Sequence, residues 1–110
     1  MVLYQVTEEG NAAIVVFGGE LDLSNGRALK EKIEALGDHI RIVVLDLKGA
    51  TYINSSGIGQ LVSILKVCTL RERKLRLVNL ASNVMRVLTI TKLERVLSIY
   101  DNIDAAKADD

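Results

Sequence analysis

An α/β fold built on a mixed, mostly parallel sheet is what the sequence predicts, and three observations carry it. Short β-branched runs alternate with amphipathic helical stretches, as right-handed crossovers between parallel strands require. One run, Ile40 to Leu47 (IRIVVLDL), is apolar at nearly every position, like a central strand covered on both faces. The chain also opens with two strand-like segments joined by a tight turn, which adds an antiparallel hairpin at one edge.

In order, Leu3 to Thr7 and Ala13 to Phe17 read as those hairpin strands, with Glu9, Gly10 and Asn11 as the turn. Ser24 is placed as a helix N-cap, and Leu29, Ile33 and Leu36 recur at i, i+4 and i+7 on one helical stripe that Gly37 ends. The central strand follows. From Gly57 to Arg71 the apolar residues Ile58, Leu61, Val62, Leu65 and Cys68 fit one face of a second helix. Leu75 to Leu80 reads as another strand. A third helix from Ser82 to Ile90 turns Val84, Val87 and Leu88 inward. Val96 to Tyr100 then forms a last extended segment, and the polar tail from Ile103 has helical character.

With 110 residues the chain suits one domain spanning 1–110, and half its residues are apolar (49%), enough for a packed core. Fourteen basic residues balance fourteen acidic ones, so the footprint of a nucleic-acid binder is missing. No secretory signal or membrane-spanning stretch is legible, which points to the cytoplasm and away from the membrane. The lone Cys68 suits a reducing compartment and a packing role. The one charge cluster, Arg71 to Arg76 (RERKLR), is read as a solvated cap at a helix end rather than a binding patch.

Chemistry concentrates in Asp46 to Gln60, DLKGATYINSSGIGQ, which leaves the central strand, crosses a loop and enters a helix. Ligands and partners gather at such turns in α/β sheets. Ser55 and Ser56 sit at the helix start, where free N–H groups and the positive dipole end favour an anionic group, while Gly57 and Gly59 are expected to leave the approach uncluttered. Ordinary capping would also explain serine there. Ser56, Gln60, Ser63, Val67 and Leu70 fall opposite the apolar stripe and are expected to be exposed, the last two as scattered surface apolars.

The INSSGIG segment resembles the phosphoserine motif of the STAS anti-sigma factor antagonists, usually Asp-Ser-Ser-Gly-Leu-Gly or Asp-Ser-Thr-Gly-Leu-Gly. The resemblance extends over nearly the whole chain: GGELDLSNGRALK is similar to the family's second-strand exit and first helix, RIVVLDLKGATYI to its third strand, and KLERVLSIYDNIDAA to its ending. It implies that Ser56 is a phosphoacceptor. It also implies that the unphosphorylated form, a monomer when free, binds an anti-sigma factor that is a serine kinase, releasing a sigma factor, and that a metal-dependent serine phosphatase reverses the modification. The implied partner surface comprises Glu20, Asp22, Asn54, Ser55, Ser56, Gly57, Gln60 and Ser63, without cofactor, metal or catalytic residue. Asn54 stands where the family most often has aspartate; asparagine still accepts hydrogen bonds and caps helices. For Glu20 and Asp22, partner contact stands beside a solvated turn preceding the Ser24 cap.

Other classes fit less well. A receiver domain would use Asp46, but it also needs an acidic pair at a parallel strand end to hold magnesium, and Val2 to Thr7 ends in no such pair at a parallel strand end. His39 has no nucleophile partner and suits the surface, and Gly57-Ile58-Gly59 is only a fragment of a phosphate loop. The alternative within the same fold is a scaffold or regulatory subunit that is never phosphorylated.

Overall fold

The computed structural model describes residues 2–108, and the predicted tail beyond them lies outside that range. Two antiparallel strands open the chain, β1 (Leu3–Glu9) and β2 (Ala12–Leu21). The turn between them places Gly10 at φ +61°, a left-handed conformation that suits glycine. Helix α1 (Leu23–Glu34) crosses to β3 (Ile42–Ile53), and α2 (Ser55–Leu70) crosses to β4 (Lys74–Val78). Then α3 (Ser82–Ile90) and a 3₁₀ turn (Leu93–Arg95) lead to β5 (Ser98–Tyr100) and the short α4 (Ile103–Ala106). The strands lie in chain order β1-β2-β3-β4-β5, parallel except for the opening hairpin.

Stepwise parallel order sends α1, α2 and α3 to one face, where Leu29, Ile33, Leu61, Ile64, Cys68, Val84 and Leu88 meet Phe17, Val43 and Leu45 in one core. Each fully buried leucine or isoleucine there contributes about 1.5–3 kcal/mol. On the other face Ala12, Ile14, Ile42, Val44 and Val78 form a smaller cluster closed by Ala106 of α4 and packed with Tyr100 and Ile103. So β3 is covered on both sides over Ile42 to Leu47, as its composition predicts.

Several boundaries differ from the sequence reading, three of them at α1 and β3. Asp22, not Ser24, caps α1: Leu21 is the last strand residue and fully buried, so the first free side chain is Asp22, whose Oδ1 accepts from Asn25 N–H at 2.8 Å. Strand β3 runs on to Ile53, past a register shift where Gly18 and Gly49 face each other closely. The gap in its apolar pattern at Lys48 and Gly49 hid that extension. Helix α1 ends at Glu34 with Ala35 as its cap, and Leu36 is buried just beyond it.

The basic cluster also departs from the reading, because two of its arginines are buried. Arg73, 5% exposed, donates to the carbonyls of Ile33, Leu36, Gly37 and Ile40 at 2.7–3.2 Å, so it satisfies the end of α1 rather than of its own helix. Arg76, 4% exposed, donates to the carbonyls of Ala106 and Ala108 and lies over the Tyr100 ring, which ties α4 to the sheet. Their acceptors lie 30–40 residues away, beyond the reach of local charge pattern.

Candidate functional site

The site forms where the C-terminal ends of β2 and β3 deliver the chain into α1 and α2. Parallel pairing of Glu20 with Tyr52 and of Leu21 with Ile53 brings the two strand exits side by side. Each exit is then closed by the same device. Asp22 accepts from Asn25 N–H, and Asn54 accepts from Gly57 N–H through Oδ1 at 2.8 Å, both in extended backbone at an N-cap. Asparagine therefore performs here the capping that its position requires, with no carboxylate needed.

Backbone contacts lock the two turns together. Asn54 N–H donates to Leu21 O at 3.3 Å, and Gly57 sits so close to that carbonyl that an added Cβ would fall 1.9 Å from its oxygen. Gly57 thus does the opposite of what the sequence suggests: it is buried, and its missing side chain lets α2 dock on the end of β2. Gly59 has open space around it, as expected. Asn25 adds a cross-link, donating from Nδ2 to Glu20 O at 2.8 Å while its own carbonyl accepts from the Tyr4 hydroxyl at 3.0 Å. Burial and the nearby Asp22 carboxylate both push the Tyr4 phenol above its usual range.

On this frame Ser55 and Ser56 are exposed in the first turn of α2, and among the described residues neither hydroxyl makes a hydrogen bond. A cleft of about 580 Å³ opens beside them, lined by Asp22, Leu23, Ser24, Arg27, Ala28, Glu31, Asn54 and Ser56. The structure therefore gathers Asp22, Asn54 and Ser56 from the predicted set, with exposed Glu20 on the adjoining strand end. It does not keep the whole predicted helix face open. Gln60, Ser63 and Val67 are half-buried, because α1 lies along α2 at Gly26, where an added Cβ would stand 2.6 Å from Gln60 Cβ. Leu70, at the far end, is 82% exposed.

Several contributors escaped the sequence reading, among them Leu23, Tyr52, Arg27 and Glu31. Leu23 and Tyr52 are exposed apolar residues at the two strand exits, and Arg27 reaches the cleft from α1. Leu23 and Tyr52 lay outside the elements assigned from periodicity, and Arg27 joins the site only through the packing of α1 on α2. Asp46 is buried in β3 and accepts from Lys48 N–H at 2.9 Å, a structural hydrogen bond of the kind expected for it. His39 is on the surface beside Glu8. Cys68 is in the core, where burial pushes its thiol up to about 11 against the opposing charge of Arg73. Among the described residues no helix is long and apolar enough to cross a membrane, and no cluster of side chains suits a metal ion.

Comparison with known proteins converges on one family. The STAS domain family model matches residues 4–106. The anti-sigma-B factor antagonist of Bacillus subtilis (strain 168) is 29% identical over 94 residues, 86% of each chain. A Thermotoga neapolitana protein, named as the homolog of an anti-sigma factor antagonist, is 32% identical over 108 residues, covering 96% of this chain and 94% of the relative. The crystal structure of an anti-sigma factor antagonist from Mycobacterium paratuberculosis shares the fold, with a TM-score of 0.81 over 96% of this chain and 91% of that one at 21% identity. The chain belongs to the STAS domain family, among the anti-sigma factor antagonists.

Proposed function

We propose that the chain is a partner-switching protein: with Ser56 unmodified it binds an anti-sigma factor, and phosphorylation of Ser56 ends that binding. The observation that carries this reading is the Ser56 hydroxyl itself, exposed, free of hydrogen bonds and set on a rigid turn beside a cleft. An acceptor serine must enter a kinase active site, and this one has nothing to release first. The relatives' names supply the partner class, an anti-sigma factor, and the family resemblance makes that partner a serine kinase as well. The chain itself performs no catalysis in this scheme, works in the cytoplasm and is a monomer when free.

In the transfer, Ser56 Oγ forms a bond to the γ-phosphorus of ATP while the bond from that phosphorus to the ADP oxygen breaks. The hydroxyl proton passes to a base of the kinase. The product carries roughly −1.5 to −2 charges where a neutral hydroxyl stood. At an interface flanked by Glu20 and Asp22 that charge costs desolvation and repulsion; at about 4 kcal/mol, affinity falls on the order of a thousandfold. A metal-dependent serine phosphatase returns the ester to the hydroxyl.

Glu20, Asp22, Asn54, Ser55, Gly57, Gln60 and Ser63 surround the acceptor in unequal roles. Glu20, Asp22, Ser55 and Ser56 form the surface a partner meets, Asn54 and Gly57 hold the turn, and Gln60 and Ser63 act from its half-buried margin. Incubation of the full chain with its kinase and ATP tests the reading by mass spectrometry. The wild type should gain one phosphate and Ser56→Ala none; a wild type left unmodified would instead indicate a scaffold.

A further inference from the structure

We propose that Arg27 is the intramolecular partner of phosphorylated Ser56, closing over the phosphate across the α1–α2 cleft; this rests on Ser56 being the modified residue. Arg27 and Ser56 line the same cleft from different helices, Arg27 in the second turn of α1 and Ser56 in the first turn of α2. Arg27 is exposed, and among the described residues its guanidinium has neither a hydrogen bond nor an ion pair. That sets it apart from Arg41, which donates to the carbonyls of Asp38 and Arg71, and from Arg73, which is wholly committed to carbonyls.

The other charged groups lining the cleft are Asp22 and Glu31. Asp22 is engaged as the cap of α1. Glu31, one turn beyond Arg27 on the same helix, makes no ion pair with it although the i,i+4 spacing permits one. A phosphate ester on Ser56 outcompetes that carboxylate, because it carries more charge and accepts a bidentate fork from guanidinium. The frame is already rigid: Gly26, adjacent to Arg27, is pressed against Gln60 of α2, so only the arginine side chain has to move. Phosphorylation then does two things to the surface. It adds negative charge at Ser56, and it draws the Arg27 cation away from the rim where a partner would dock.

The test is a phosphorus NMR pH titration of the full chain carrying phosphoserine incorporated at position 56 during translation. A phosphoserine ordinarily loses its second proton, becoming the dianion, near about pH 6. A neighbouring guanidinium favours the dianion, so the wild type should titrate roughly half a pH unit or more below Arg27→Gln. Arg27→Lys, which keeps the charge and loses the fork, should fall between them. The Arg27 Nε–H resonance should shift on phosphorylation. Coincident midpoints for wild type and Arg27→Gln, with the Nε–H resonance unmoved, would overturn the pairing. Because no kinase is used, a Ser56 that no kinase modifies would end the proposed function and leave this outcome separately readable.

Discussion

Arg73 carries much of the burden of closing α1. Its guanidinium meets four backbone carbonyls in the interior, and a charged donor to a buried acceptor is worth about 1.5–3 kcal/mol. Replacing it by methionine keeps the stem and strips the donors, so the carbonyls of Ile33 and Ile40 lose their side-chain partner away from water. Arg73→Met should cost about 3 kcal/mol in urea unfolding. Arg73→Lys should recover only part of it, since an ammonium cannot reach four acceptors in one plane. Cys68 offers a second, pH-dependent check. Its thiol is raised from the ordinary 9.0 to about 11 by burial, so the unfolded chain loses that proton first as pH rises. The stability it contributes is whole below about pH 9 and drains away as the pH climbs toward 11, on the order of 2 kcal/mol in all. Urea midpoints should therefore fall more steeply over that window in wild type than in Cys68→Ala.

The start of α2 contains two glycines with opposite reasons to exist. At Gly57 a methyl group would strike Leu21 O, so Gly57→Ala must push α2 off β2 and should destabilise by more than about 3 kcal/mol. At Gly59 there is room for one, and alanine should stabilise the helix by up to about 1 kcal/mol. Thermal unfolding of the pair separates steric contact from helix propensity. Asn54→Ala removes the cap to Gly57 N–H and should cost about 1 kcal/mol, whereas Asn54→Asp keeps the acceptor and should match the wild type or exceed it. The elements themselves were largely legible, because their spacing is local: α3 occupies Ser82–Ile90 as its apolar period predicts, and the hairpin turns at Gly10. What was not legible depends on packing between elements. The role of Gly57 depends on a carbonyl 36 positions earlier, the extension of β3 on pairing with β2, and the choice of Asp22 over Ser24 on where that strand runs into the core.

Across the molecule, parallel order is what makes the site. Chain-order strands place the exits of β2 and β3 next to each other, so one acidic strand end, one serine-bearing helix start and the free Arg27 meet on a single edge. The motif at Ser56 could be seen in the sequence because it is contiguous. Its neighbourhood could not, since Leu23, Arg27 and Tyr52 come to it through the fold and half of the expected helix face is taken by α1. Exposed Leu23 and Tyr52 at these exits give a partner apolar anchors around a polar centre, and truncating either to alanine should weaken binding by about 1–2 kcal/mol without lowering stability. Under the proposed function the partner is an anti-sigma factor that is also a serine kinase. Calorimetric titration of that anti-sigma factor into the unmodified chain and into the chain bearing phosphoserine 56 is the most direct trial. A dissociation constant that rises about a thousandfold on phosphorylation is the predicted result, and equal constants for the two forms would contradict it.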